Sequence, residues 1–177
     1  MFKNDLLKNK TIIITGGGTG LGKSMATRFG ELGANLVLTS RRQEVLDEAA
    51  RDINDKTGAE ILTVSTDIRH SDQVTEMVKK AMDKFGKIDC LLNNAAGNFI
   101  SPTENLSENA FRTIIDIVLV GTFNCTQAAG KAMRDSGGGV ILNIVTTYAW
   151  TGSGYVAPSS AAKGGVLALT RSLAAEW

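Results

Sequence analysis

Residues 11–34 read TIIITGGGTGLGKSMATRFGELGA: a β-branched run, three glycines at positions 16, 20 and 22, then a helical pattern. A strand that runs directly into glycines and then into a helix is the setting in which such a turn has chemical meaning. Glycine keeps the turn tight and lets backbone N–H groups approach a pyrophosphate at the positive end of the following helix. The same glycines could also be purely structural, so the rest of the chain has to decide.

Working outward, short aliphatic or β-branched runs recur at Thr11–Thr15, Asn35–Thr39, Glu60–Thr66, Ile88–Asn93 and Val140–Val145. They read as buried parallel strands. Helical patterns separate them. Val74, Met77, Val78, Ala81, Met82 and Phe85 form an apolar stripe, with Ser71 expected as N-cap and Gly86 as C-terminal stop. Val45, Leu46, Ala49 and Ile53 do the same before Gly58. This alternation predicts an α/β fold, a Rossmann-like doubly wound parallel sheet flanked by helices. With no repeat or linker, residues 1–177 read as one dinucleotide-binding domain. The last helix, expected to begin near Pro158, is still in pattern at Trp177. The chain therefore reads as truncated at its C-terminus, with the last strands missing.

Composition narrows the class. Of 177 residues, 43% are hydrophobic and 21% charged, with a net charge of +1. A balance so close to zero argues against nucleic acid or a basic membrane-binding face as partner. No apolar run reaches membrane-spanning length, and Met1–Lys10 lacks a signal-peptide core. Cys90 and Cys125 lack a partner spacing and read as buried thiols in a reducing compartment, so no metal site is expected. The expected location is the cytoplasm. His70, the sole histidine, lies at a helix start and receives no catalytic role.

The glycine spacing resembles the TGxxxGxG turn of short-chain dehydrogenases/reductases. That resemblance implies a nicotinamide cofactor held by Gly16, Gly18, Thr19, Gly20, Leu21 and Gly22. The second strand ends LVLTSRRQ, where an NAD site would place an acidic residue for the ribose 2′-hydroxyl. Ser40 and Arg41 suit a 2′-phosphate instead, so NADP(H) is expected. Asp67, with Ile68 beside it, stands where the family presents a carboxylate to the adenine amino group. NNAAG, residues 93–97, matches the family's Asn-Asn-Ala-Gly turn and places Asn94 near the cofactor.

The catalytic stretch departs from the usual tyrosine four residues before a lysine. Ser159 stands there before Lys163, while Tyr148 is fifteen residues away and Tyr155 eight. NNAAGNFISPTENLS together with TTYAWTGSGYVAPSSAAK resembles the NADPH-dependent 2,4-dienoyl-CoA reductases of the same family. The resemblance covers essentially the whole chain. It implies that Tyr148, on the loop after the fifth strand, and Asn98 donate hydrogen bonds to the thioester oxygen of an unsaturated acyl-CoA. Lys163 would bind the nicotinamide ribose and Ser159 would support the tyrosine. Arg69, Phe99 and Tyr155 would contact the acyl-CoA. The chemistry fits: hydride delivered to the far end of a conjugated thioester collects charge on that remote oxygen. Relatives also imply a homotetramer for the full-length protein. Many members carry an asparagine relay before strand five, and its place here is read as Val120. Two alternatives stay open. One is a carbonyl or 3-oxoacyl reductase or sugar dehydrogenase using Tyr155 with Thr146. The other is a non-catalytic, truncated nucleotide-binding module.

Overall fold

In the computed structural model, residues 3 and 5–177 are described. Five strands form one wholly parallel sheet in the order β3-β2-β1-β4-β5: β1 Thr11–Thr15, β2 Asn35–Ser40, β3 Ile61–Ser65, β4 Cys90–Asn93 and β5 Val140–Asn143. The strand order reverses between β1 and β4, which makes the carboxyl ends of these two strands the place for a ligand crevice. The expected strand runs over 60–66, 88–93 and 140–145 are each shorter in the structure.

Alternate residues of each strand feed opposite cores, as a two-residue side-chain period requires. Ile12 and Ile14 pack with Leu36, Leu38, Leu46 and Ile53 beneath α1 (Gly20–Glu31) and α2 (Gln43–Thr57). Ile13 and Val37 pack on the other face with Val74, Met77 and Ala81 of α3 (Ser71–Phe85). Cys125 and Ala129 of α5 (Gly121–Asp135) join the same cluster. Gly58 and Gly86 end α2 and α3 in left-handed conformations, as expected. The N-cap place of α3 belongs to His70 rather than Ser71, and the His70 side chain makes no cap bond.

Helix α4 (Glu108–Ile115) runs through a single π-helical segment, Asp116–Val120, straight into α5. A short helix, α6 (Tyr148–Thr151), and the 20-residue α7 (Ala157–Glu176) follow β5. Among the described residues no helix is long and apolar enough to cross a membrane. The π segment corrects one expectation. Its wider turn leaves Val120 37% exposed and buries Val118 completely, against Ala162 and Val166 of the lysine's helix. The side chain facing α7 is thus Val118, and an aliphatic group there can supply no side-chain proton relay.

Candidate functional site

At the switch point lies a cleft of about 380 Å³, lined by Gly16, Gly18, Thr19, Ser40, Arg41, Asp67 and Ile68 together with Thr39, Arg42, Val45 and the turn Ala95–Gly97. Gly16 and Gly20 have φ of +68° and +53°, values that glycine adopts without strain. Gly22 is needed for closeness: a Cβ there would stand 2.1 Å from the Gly16 carbonyl oxygen and 2.7 Å from Asn94 Nδ2. Thr19 precedes α1 in an extended conformation, and its side chain does not cap the helix, so the first N–H groups of α1 face the cleft unclaimed by it. A glycine wall at a helix N-terminus fits a pyrophosphate. Arg41 and Arg42 follow the end of β2 and line the cleft.

Leu21 and Asn94 do not turn their side chains into the cleft. Leu21 is exposed and does not line the cleft. Asn94 turns its amide inward, where Nδ2 donates to the carbonyls of Thr15 at 3.0 Å and Gly16 at 3.4 Å. It secures the glycine turn from below. Thr15, a residue not singled out from sequence, completes this fixture. Its buried hydroxyl accepts from the backbone N–H groups of Asn94 and Ala95 at 3.0 and 2.9 Å. The threonine opening the TGxxxGxG pattern was the available signal.

The catalytic candidates gather beyond the carboxyl end of β5. Lys163 is 4% exposed, and its ammonium donates to the Ile144 carbonyl at the end of β5. Burial pushes its pKa below the ordinary lysine value. One helical turn earlier, Ser159 is 3% exposed, and its Oγ lies 3.0 Å from the Tyr148 hydroxyl, either group being able to donate. The structure thus brings Tyr148 and Ser159 together above Lys163, although eleven residues separate the first two. Tyr155 lies on the loop before α7, 63% exposed, at a φ of +65°. Its carbonyl accepts from Ser101 N at 2.9 Å, tying that loop to the segment carrying Asn98 and Phe99. Asn98 and Phe99 are exposed, and among the described residues Asn98 makes no side-chain hydrogen bond to Tyr148. Arg69, expected to reach an acyl-CoA, instead grips Asp67: Nη2 and Nε donate to the two carboxylate oxygens at 2.5 and 2.9 Å. Thr146 Oγ1 is buried and has no hydrogen-bond partner among the described residues.

Fold and cleft together define an α/β nucleotide-binding protein of the doubly wound type. A family model described as short chain dehydrogenase matches residues 10–177. The chain belongs to the short-chain dehydrogenase family. It is similar to a probable (2E)-enoyl-CoA-producing 2,4-dienoyl-CoA reductase of Bacillus subtilis (strain 168), at 45% identity over 97% of this chain and 67% of that protein. A peroxisomal (3E)-enoyl-CoA-producing 2,4-dienoyl-CoA reductase of Arabidopsis thaliana is 41% identical over 99% of this chain and 61% of its own length. Among solved structures, a short chain dehydrogenase from Bacillus anthracis superposes with a TM-score of 0.91 at 51% identity, covering 96% of this chain and 70% of that one. The chain thus spans only 61–67% of the length of these two curated relatives.

Proposed function

We propose that the full-length protein is an NADPH-dependent reductase of unsaturated acyl-CoA thioesters, of the 2,4-dienoyl-CoA reductase type. The observation that carries this reading is the 3.0 Å contact between Tyr148 and Ser159, one turn before the buried Lys163. A serine fills the helical position where carbonyl reductases keep their tyrosine, and the phenol arrives from α6, the short helix after β5, rather than from the loop expected from sequence. The names borne by the relatives described above support the same substrate class.

When bound, the nicotinamide cofactor supplies the hydride. The chain's own residues hold and orient the reactants. Gly16, Gly18 and Thr19 would hold the pyrophosphate, Ser40 and Arg41 the 2′-phosphate, Asp67 the adenine amino group and Lys163 the nicotinamide ribose. Tyr148 and Asn98 would donate to the thioester oxygen, where charge collects once the far end of the diene has been reduced. Ser159 keeps the phenol aimed. Phe99 and Tyr155, exposed on two loops joined through Ser101, would flank the acyl chain. A homotetramer is part of the proposal, and exposed Phe111 and Phe123 on α4 and α5 suit such an interface.

The test is NADPH oxidation by the full-length protein with 2,4-hexadienoyl-CoA, crotonyl-CoA and acetoacetyl-CoA side by side. Turnover of the dienoyl thioester above the other two is the expected result. Preference for acetoacetyl-CoA would favour carbonyl reduction instead, for which the buried, partnerless Thr146 hydroxyl would be the natural second donor. Turnover of none of the three would favour a nucleotide-binding module.

A further inference from the structure

Asp67 is the one carboxylate lining the nucleotide cleft among the described residues. Everything about the turn that carries it is fixed. Its backbone N–H donates to Gln73 Oε1 at 2.8 Å, and Asn124 Nδ2 donates to the Ile68 carbonyl at 2.9 Å from the opposite helix. These two bonds hold the backbone on either side of the carboxylate, and Arg69 holds the carboxylate itself. It also stays ionised: the Arg69 guanidinium bonded to it holds its pKa below the usual carboxylate range. A fixed anion in a cleft whose glycine wall and arginines are built for phosphate is an electrostatic conflict. Arg69 resolves it with a planar fork, backed by its own N–H donating to Asp67 Oδ1 at 3.1 Å.

We infer that Arg69 is a positioning and specificity-determining residue for the cofactor. It neutralises Asp67, so that this carboxylate can accept from the adenine amino group without repelling the phosphates beside it. The guanidinium lies outside the cleft lining and acts through Asp67 rather than by touching the nucleotide. This inference rests on the proposed NADP(H) reading, because the 2′-phosphate is the charge by which NADPH differs from NADH. Like charges across a water-filled cleft weaken binding by roughly a factor of two per charge pair. A phosphate monoester brings nearly two charges. Removing Arg69 should therefore be felt most by the 2′-phosphorylated cofactor.

The experiment is fluorescence titration of the full-length protein with NADPH and with NADH, at low and at physiological ionic strength. Arg69→Gln should weaken NADPH about fivefold and NADH no more than about twofold, with the larger loss shrinking as salt rises. Asp67→Asn added to Arg69→Gln should recover most of that loss, since the asparagine oxygen still accepts from the adenine while the charge is gone. Arg69→Lys, which keeps the charge, should stay within about twofold of wild type; thermal melts check that each variant is folded. The inference is overturned if the double variant binds NADPH as weakly as Arg69→Gln. It is equally overturned if Arg69→Gln leaves both affinities unchanged and raises only the KM for the acyl-CoA, which would make Arg69 a substrate contact. A wild-type protein with no NADPH preference would sink the 2′-phosphate reading alone. Recovery of either cofactor's affinity in the double variant would still decide the part played by Arg69.

Discussion

Tyr148 and Ser159 offer a thermodynamic cycle whose outcome follows from their burial. Tyr148→Phe in the full-length protein removes the proposed donor to the thioester oxygen, a loss of about 10²–10³ in kcat, equivalent to about 2.7–4 kcal/mol. It also strands the Ser159 hydroxyl, which is 3% exposed and whose side-chain partner is that phenol. An unsatisfied buried hydroxyl costs about 1–3 kcal/mol of stability, and each kcal/mol lowers Tm by about 2–4 °C in a protein of this size. Ser159→Ala is milder, because the half-buried phenol can turn to water: about 1 kcal/mol, or roughly fivefold in kcat. If serine acts only by aiming the phenol, the double variant should have the kcat of Tyr148→Phe alone. It should also melt higher than that single variant, since no hydroxyl is left stranded. The assays are the loss of NADPH absorbance with 2,4-hexadienoyl-CoA, a thermal melt, and a cofactor titration expected to change by less than about twofold. A further fivefold loss of kcat, roughly the size of the single Ser159→Ala effect, on adding that change to the Tyr148→Phe background would refute the reasoning. Near-full activity of Tyr148→Phe would refute it as well.

Replacing Arg41 with Asp should erase an NADPH-over-NADH preference of about tenfold, or about 1.4 kcal/mol, measured by calorimetry; equal affinities in the wild type would count against the assignment. Gly22→Ala should lower Tm by about 6–12 °C, since a new Cβ meeting the Gly16 carbonyl oxygen at 2.1 Å puts the overpacking cost at the upper end, about 3 kcal/mol. A drop under about 2 °C would show that the turn yields. The third concerns Lys163, whose folded pKa is lowered by burial. The folded state then releases this proton before the unfolded state does, so stability rises with pH between the folded and unfolded values. Lys163→Met should abolish activity yet leave the protein as stable or more stable at pH 7, with its advantage over wild type shrinking as pH climbs towards the unfolded lysine value. A Lys163→Met variant that melts lower at pH 7 by an amount independent of pH would contradict this.

What was legible in the sequence were features that depend on near neighbours. The glycine turn, the strand–helix alternation, the left-handed stops at Gly58 and Gly86 and the one-turn spacing of Ser159 and Lys163 all appear in the fold. Each is governed by local backbone geometry and a repeat of two or 3.6 residues, so a short stretch suffices to specify it. The exit of β2 was legible for the same reason, since the carboxyl end of a parallel strand next to the switch-point pair opens towards the cleft. The tertiary structure decided the contacts between residues distant along the chain. Thr15 fastens the β4 turn to β1 across 80 residues, and Tyr148 meets Ser159 only because α6 packs against α7. Arg69 shows that even two residues' separation is not enough: its partner depends on which way the β3–α3 turn is held by α3 and α5. Val118 rather than Val120 faces the lysine helix because one π-helical turn shifts the phase of the stripe. No fixed repeat in the sequence carries that shift, because packing against α7 rather than local propensity selects the face that is buried.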